Sequence, residues 1–387
     1  MVLEEDIAMN TKAPLKVMQV IARMNVGGPA ILVADLMRNF DPKVVNAVLV
    51  TGYCDDNESD YLDEVATDVV AIRVPGLGRS ISPIKDFSAL FLLVKEIRKF
   101  KPDVIHTHTA KAGVLGRVAG LLAAPTAKRV HTFHGHLLHG YFGKGKTRLV
   151  VLIEKFLALI THRIIAIGNS VKKDLVAAGI GTDSMYEVIY PGLQPLKVFS
   201  KEEAKKSLGL LPNNTYLVFV GRLTQVKRPD RLLDIARYLN KNHPNSLLLI
   251  AGAGELFATI KSESESEDLP ITFLGWRNDI GLILSAADIA ILCSDNEGIP
   301  LTLIQASQAG LPIVSTDVGS VSDLVIDGLT GYLTQVSSEG LIQGIETLLG
   351  DSELRHTFGR AGKHRANEFF SSLSMVERHQ ELYSQSL

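Results

Sequence analysis

Short apolar runs alternate with helix-like stretches along almost the whole chain, and this alternation limits the folds that the chain can adopt. The apolar runs of the first half are KVMQVIA (16–22), VNAVLVT (45–51), VVAIRV (69–74), DVIHTH (103–108), RVHTFH (129–134) and RIIAIG (163–168). Most of them are apolar on both faces, which is typical of parallel strands that helices cover on both sides. Helical patterns such as DFSALFLLVKEIRKF (86–100) lie between them. This order predicts an α/β fold.

The alternation breaks once, around residues 188–214, where prolines and glycines cluster about a short charged helix. Such a stretch is typical of a domain linker. The order then restarts with the runs YLVFVG (216–221), SLLLIAG (246–252), ITFLG (271–275), DIAILC (288–293) and PIVST (312–316). Each half opens with a strand, a glycine turn and a helix, so the sequence predicts two doubly wound domains. Ligands of such sheets bind beyond the carboxyl ends of the strands.

Composition narrows the class of protein without naming a function. The 387 residues are 46% hydrophobic and 21% charged, as in a folded protein with large cores, and the net charge of −2 gives no argument for nucleic acid as a partner. Two distant cysteines, Cys54 and Cys293, exclude a disulfide scaffold and fit a reducing compartment. The N-terminus lacks the apolar core of a signal peptide, and no apolar run reaches the roughly 18 residues of a spanning helix. We therefore expect a cytoplasmic protein, with a peripheral role at the inner face of the cell membrane left open.

Two cations follow the strand that opens the second half. In FVGRLTQVKRPD, Arg222 and Lys227 lie in the turn between this strand and a helix. Two cations beside a glycine turn are suited to a diphosphate. The alternative is a pair of solvated surface cations, and spacing alone does not decide between the two.

A carboxylate lies in the loop of SDNEGIPLTLIQA (294–306). Glu297 and Gly298 stand at the entry to a helix, where free amide N–H groups bind anions and glycine permits close approach. Gln305 follows slightly more than two helical turns later, so the spacing predicts a similar helix face for both side chains. The alternatives are a partner of the helix dipole for Glu297 and a surface amide for Gln305.

Three further patterns are ambiguous. Six of the eleven histidines fall in one region, and a metal site is one interpretation of them, although no acidic residue follows closely: His106, His108, His131, His134, His136 and His139. The stretch AGAGE (251–255) is half of a dinucleotide fingerprint, and a tight turn explains it as well. Gly27 and Gly28 open the first helix, as a plain turn or as a place where a substrate approaches the backbone.

Together these stretches resemble the retaining glycosyltransferase family 4, of the GT-B fold. The segments that carry the resemblance occur in the family's order and cover most of the chain: KPDVIHTH, RVHTFHG, RIIAIGNSVKKDLVAAGI, VGRLTQVKRPD, FLGWRND and NEGIPLTLIQASQAGLPIVSTDVGSVSDLVIDGLTGYL. The resemblance implies two Rossmann-like, doubly wound parallel-sheet domains that face a central cleft. It implies an acceptor domain over residues 1–192, a donor domain over 193–365, and a C-terminal helix (366–387) that packs back on the first domain.

The resemblance also implies an activity. Family members move a sugar from a nucleotide sugar, most often one that carries UDP, to a lipid-linked or polysaccharide-precursor acceptor. Transfer retains the anomeric configuration and requires neither a cofactor nor a divalent metal. We therefore expect a nucleotide sugar and such an acceptor as partners, and no nucleic acid.

The resemblance assigns roles to individual residues. His134 and Glu297 match the catalytic positions beside the donor sugar, and Gly27 and Gly28 match the turn at the acceptor. The positions that match the donor diphosphate site are Arg222, Lys227, Gly298, Ile299 and Leu301, and those that match the nucleoside site are Trp276 and Gln305.

One position departs from the family pattern. Gln305 stands where the family has a second glutamate that contacts the ribose. A glutamine keeps a carbonyl acceptor and adds an NH₂ donor but loses the stronger charge-assisted bond. We therefore expect weaker or differently oriented nucleotide binding rather than lost chemistry. The competing hypotheses for the function are a nucleotide-sugar epimerase, a sugar phosphorylase, a histidine-bound metal hydrolase and a binding protein without turnover.

The segment HGHLLHGYFGKGKTRLVVLIEKFLALITHR (134–163) is basic at its front and amphipathic behind. Lys144, Lys146 and Arg148, near Tyr141 and Phe142, have the chemistry to meet anionic lipid headgroups. A helix packed on the sheet with a basic loop is the alternative. A membrane surface is therefore a partner that the sequence leaves open.

Overall fold

Two parallel sheets organise the computed structural model, which describes residues 13–56, 58–135 and 144–385. The strands of the first sheet are β1 Leu15–Ile21, β2 Val45–Thr51, β3 Ala71–Arg73, β4 Val104–His108, β5 Lys128–Phe133, β6 Arg163–Ala166 and β7 Tyr186–Val188. Their order in the sheet is β3-β2-β1-β4-β5-β6-β7. The helices between them are α1 Gly28–Asn39, α2 Tyr61–Glu64, α3 Pro83–Phe100, α4 Ala110–Ala123, α5 Lys144–Ala158 and α6 Asn169–Ala177.

The second sheet repeats this arrangement. Its strands are β8 Thr215–Val220, β9 Ser246–Ala251, β10 Ile271–Gly275, β11 Ile289–Leu292, β12 Ile313–Thr316 and β13 Gly331–Thr334, in the order β10-β9-β8-β11-β12-β13. The remaining helices are α7 Lys201–Ser207, α8 Asp230–Asn242, α9 Phe257–Ser266, α10 Ile280–Ala286, α11 Leu301–Gln308, α12 Val321–Leu324, α13 Ser338–Gly350, α14 Ser352–Phe369 and α15 Ser372–Gln385. The two sheets confirm the predicted α/β class.

Two compact units divide the described residues. The first unit comprises three segments: the residues up to His131, Ile160–Arg163, and the residues from Val376 onward. The second contains Thr132–Leu159 and Ile164–Met375. The division into domains at residue 192 stays a prediction. No helix within the described residues has both the length and the apolar character to cross a membrane.

A buried polar cluster holds the part of α15 that follows Met375 within the first unit. The Tyr383 hydroxyl accepts a hydrogen bond from Gln19 Nε2 at 2.9 Å and lies 2.7 Å from His106 Nδ1. His108 Nε2 is 2.7 Å from Gln19 Oε1, and these side chains are at most 1% exposed. Burial raises the pKa of the Tyr383 hydroxyl. The cluster explains two of the six clustered histidines as packing, because buried polar groups need such partners.

Replacing Tyr383 by phenylalanine is expected to lower the free energy of unfolding by about 1–3 kcal/mol, since Gln19 and His106 each lose a hydrogen-bonding partner in a buried place. Thermal or denaturant unfolding measures this change. Tyr53→Phe is the matched control, because Tyr53 is 55% exposed. Equal stability of the two variants would show that the cluster does not stabilise the fold.

Candidate active site

The site lies at the carboxyl ends of two neighbouring strands of the second sheet. Strands β8 and β11 pair in parallel, with Leu217 opposite Ile289, so the loops that follow them emerge side by side. The backbone N–H of Asp295 donates to the carbonyl of Val226 at 2.9 Å and ties one loop to the other. The sheet order therefore brings together residues that are far apart in the sequence.

Glu297 and Lys227 form an ion pair across these two loops. Lys227 Nζ donates to Glu297 Oε1, and the Ser294 hydroxyl donates to the same oxygen at 2.6 Å. The side chains of Lys227 and Glu297 are 21% and 11% exposed, so water screens the pair only in part. Within the described residues the other carboxylate oxygen, Oε2, accepts no hydrogen bond. One oxygen is thus held by the protein and the other is available to a ligand.

Arg222 differs from Lys227. Its side chain is exposed and has no hydrogen-bond or ion-pair partner in the part of the chain that the structure describes. The site therefore has one cation that is held by a carboxylate and one that is not. Both positions were predicted as cations for a diphosphate.

Three backbone amides at the start of α11 are also available. Gly298, Ile299 and Leu301 donate their amide N–H groups to no acceptor among the described residues. Helix α11 begins at Leu301 after Pro300, which has extended backbone angles. Unpaired amides at a helix N-terminus, together with the helix dipole, favour an anion.

A frame of side chains behind the loop fixes its backbone. Arg231 is 5% exposed and donates to the carbonyl of Cys293 at 2.7 Å, and it pairs with Asp295 at 2.8 Å. The Thr316 hydroxyl donates to the carbonyl of Ser294 at 2.7 Å. Arg231, Asp295 and Ser294 were not predicted as site residues, because nothing in their spacing distinguishes them from other polar residues.

Protein atoms closely surround Gly298. A Cβ at this position would lie 2.7 Å from Ile167 Cδ1 and 3.4 Å from the carbonyl oxygen of His134. The glycine therefore makes room for these protein atoms, and its role at the donor diphosphate stays a prediction. It also brings the loop of Glu297 against the end of β5, where His134 is half-buried.

The predicted helical relation between Glu297 and Gln305 is wrong. Glu297 precedes α11 by four residues and lies in the loop, so helical spacing does not place the two side chains on one face. Gln305 is half-buried on α11, and its side chain makes no hydrogen bond within the described residues.

Trp276 lies directly after β10 and is 63% exposed. Strand β10 is the edge strand two places from β8, and adjacent strands are about 4.8 Å apart, so the two strands run about 10 Å from each other. An exposed indole is available to stack on a flat ring.

Gly27 and Gly28 belong to the first unit, at the start of α1. Gly27 has an extended backbone that any residue adopts, and among the described residues a Cβ there would have only the Asn25 carbonyl oxygen nearby, at 3.8 Å. Neither strain nor packing therefore requires glycine at position 27. The open space leaves the predicted acceptor role as a hypothesis.

The glycines of AGAGE have a structural explanation. A Cβ on Gly252 would lie 1.9 Å from the carbonyl oxygen of Gly221, and one on Gly254 would lie 2.4 Å from that of Leu223. These glycines permit two turns to pack together, which agrees with the interpretation of AGAGE as a tight turn.

Burial raises the pKa of Cys54 and of Cys293 to about 12, so neither thiol is a nucleophile near neutral pH.

The metal hypothesis for the histidines finds no support among the described residues. No group of three or more histidine, cysteine, aspartate or glutamate side chains there is arranged to hold a metal ion. His131 Nδ1 lies 2.8 Å from the Thr107 hydroxyl. His136 and His139 lie outside the described residues.

Comparison with known proteins identifies the family. Residues 26–195 match the family model described as Glycosyltransferase Family 4, and residues 200–365 match the one described as Glycosyl transferases group 1. The chain is 31% identical over 335 residues to the UDP-Gal:alpha-D-GlcNAc-diphosphoundecaprenol alpha-1,3-galactosyltransferase of Escherichia coli, covering 84% of this chain and 85% of that protein. It is 23% identical to the capsular polysaccharide biosynthesis glycosyltransferase CapM of Staphylococcus aureus, over 90% of each chain.

Solved structures agree on the fold. The crystal structure of Anabaena HepE in complex with UDP-glucose superposes with a TM-score of 0.80 at 20% identity, over 96% of this chain and 100% of that chain. The two parallel-sheet domains are therefore those of the GT-B fold. With two family models matched in order and the E. coli relative covered over most of its length, the chain belongs to the family-4 glycosyltransferases.

Proposed function

We propose that the protein transfers a sugar from a UDP-sugar to a lipid-linked or polysaccharide-precursor acceptor, with retention of configuration and without a metal. The observation that carries this proposal is the grouping of Glu297, Lys227 and Arg222 with three unpaired amides at the start of α11. This grouping offers a carboxylate oxygen for sugar hydroxyls beside donors for a diphosphate.

The reaction breaks the bond between the sugar C1 and the diphosphate oxygen, and the electron pair leaves with that oxygen. Arg222, Lys227 and the amides of Gly298, Ile299 and Leu301 stabilise the charge that builds on the diphosphate. The acceptor hydroxyl attacks C1 on the face that the leaving group departs from, and its proton passes to the departing phosphate oxygen. The cation held by Glu297, the exposed cation Arg222 and a helix N-terminus supply the charge stabilisation that a metal ion supplies elsewhere.

Glu297 acts as a positioning acceptor in this scheme. Its Oε1 is fixed by Ser294 and Lys227, so Oε2 accepts a charge-assisted hydrogen bond from a donor-sugar hydroxyl. His134, held close to Gly298 at the end of β5, is the proposed second contact to the sugar. Trp276 contacts the base and Gln305 the ribose.

The names of relatives support the choice of donor and acceptor. The E. coli relative is named for a UDP-sugar donor and a lipid diphosphate acceptor, and the S. aureus relative for capsular polysaccharide biosynthesis. Anabaena HepE was crystallised with UDP-glucose. Binding of a UDP-sugar through the second sheet is therefore the first hypothesis to test.

A thermal-shift screen of UDP-, GDP- and ADP-sugars tests the donor. UDP-sugars are expected to raise the melting temperature most, since a ligand at 100 times its Kd stabilises the folded state by about 2.7 kcal/mol. The shift and the transfer rate are expected to persist in a chelator, and NMR of the product is expected to show the anomer of the donor. A shift with GDP- or ADP-sugars alone would overturn the UDP assignment, and turnover of the donor without an acceptor into an epimeric nucleotide sugar would favour the epimerase.

Gln305→Glu is expected to tighten UDP binding about fivefold, because a carboxylate accepts a stronger hydrogen bond from a ribose hydroxyl, a gain of about 1 kcal/mol. Isothermal titration calorimetry measures the change, with Gln343→Glu on the exposed side of α13 as the matched control. If the affinity of the Gln305 variant fails to rise, this side chain does not contact the ribose.

A further inference from the structure

Helix α5 presents an apolar face to solvent. Its exposed large side chains, together with the residue that follows the helix, are Leu149 (58%), Leu152 (51%), Ile153 (38%), Phe156 (63%) and Leu159 (81%). Their spacing of three and four residues places them on one side of the helix, and we name this set the α5 stripe. Such a run differs from the scattered apolar residues that every protein surface carries, and it indicates an interaction surface.

The other side of α5 already faces the core. Glu154 is 2% exposed, Leu157 is 6% exposed and Ala158 is 5% exposed. The helix is therefore packed on one side, and folding of the described residues does not account for the stripe on the other.

The exposed charges of α5 all have one sign. Lys146, Arg148 and Lys155 are exposed and have no ion-pair partner among the residues that the structure describes. Glu154 is the one acidic residue of α5, and it is buried. The outward side of the helix is thus apolar and positive, which complements an apolar layer under a negative surface.

Helix α3 provides a contrast. It also exposes Ile84, Phe87 and Phe91, but Asp86 and Glu96 lie among its basic residues, and Asp86 pairs with Lys111. An apolar patch with mixed charges has no preference for an anionic surface. The combination of stripe and unpaired cations belongs to α5.

We propose that the outward face of α5 docks on an anionic lipid bilayer. The α5 stripe enters the boundary between headgroups and acyl chains, while Lys146, Arg148 and Lys155 contact the phosphates. Docking would confine the enzyme to the surface that holds a lipid-linked acceptor, and this benefit rests on the proposed function. Tyr141 and Phe142, which the sequence also pointed to, lie outside the described residues, as does the side chain of Lys144.

Co-sedimentation of the full chain with vesicles tests the docking without donor or acceptor, so its failure is distinct from failure of the proposed transfer. Binding is expected to vesicles of phosphatidylcholine mixed with phosphatidylglycerol, to weaken in high salt, and to be much weaker with phosphatidylcholine alone. The variant Leu152→Gln/Phe156→Gln is expected to bind at least about tenfold more weakly for each side chain. The variant K146Q/R148Q/K155Q removes three charges, and its affinity for the anionic vesicles is expected to fall about fivefold for each cation removed.

Two matched controls separate α5 from the rest of the surface. Leu211→Gln/Leu329→Gln removes two leucines that are 64% and 54% exposed elsewhere and is expected to bind like the unmodified chain. Ile84→Gln/Phe87→Gln alters α3 in the same way. Loss of binding in the α3 variant but not in the α5 variants would overturn the proposal, as would absence of vesicle binding at low salt. All variants change exposed residues, so unchanged melting temperatures and unchanged transfer to a soluble acceptor analogue are expected.

Discussion

Replacing Glu297 by glutamine is expected to lower the rate of sugar transfer about 100-fold while the fold is kept. The carboxylate contributes a charge-assisted hydrogen bond that orients the donor sugar, and a small displacement of reacting atoms costs about two orders of magnitude. Glutamine has nearly the same shape, so the Ser294 hydroxyl still finds an acceptor at this position. Steady-state kinetics with a saturating acceptor measure the loss in kcat.

The same variant is expected to bind UDP as tightly as the unmodified chain, or more tightly. In the ligand-free protein Glu297 competes with a diphosphate for Lys227, because the two side chains form a partly buried ion pair. The neutral amide removes this competition. Calorimetry of UDP binding therefore separates the roles: a variant that loses UDP affinity together with kcat would show that Glu297 supports the nucleotide rather than the sugar. Glu353→Gln, on an 83% exposed side chain of α14, is the control.

The strands were the most predictable part of the molecule. Each predicted strand overlaps one in the structure, with ends that differ by two residues or fewer. The two strands that the sequence analysis missed, β7 and β13, are short and stand at the edges of their sheets. An edge strand is covered less than a central one, and YEV and GYLT lack the continuous apolar character that marked the others.

The contacts within the site were less predictable than its residues. Lys227 and Glu297 were both singled out, but their pairing depends on β8 lying next to β11 in the sheet, which no local pattern encodes. Spacing suggested a helical relation between Glu297 and Gln305 that the extended loop abolishes. The packing of the histidines was equally hidden in the sequence, because His106 pairs with Tyr383, near the other end of the chain. Long-range packing decides such contacts, and a single sequence does not display it.

Replacing Arg222 by alanine is expected to lower kcat/KM for transfer by about 10²–10³, the usual effect of removing one preorganised group that stabilises a developing negative charge. The exposed guanidinium has no partner among the described residues, so its loss leaves no buried charge behind and the melting temperature is expected to stay unchanged. Lys227→Ala is the informative contrast. It leaves the partly buried Glu297 with Ser294 as its remaining partner, so this variant is expected to lose stability as well as activity.

Binding of UDP and of uridine to the Arg222 variants shows which part of the nucleotide this side chain contacts. If the side chain binds the diphosphate, Arg222→Ala weakens UDP binding and leaves uridine binding unchanged, whereas Arg222→Lys restores part of both transfer and UDP affinity because it keeps the charge and loses the planar fork. Calorimetry with UDP and with uridine distinguishes these outcomes. Equal losses for UDP and uridine would place Arg222 at the nucleoside, and unchanged transfer would show that the free cation is a surface residue after all. Because the variant is expected to fold normally, either result bears directly on how the leaving diphosphate is stabilised.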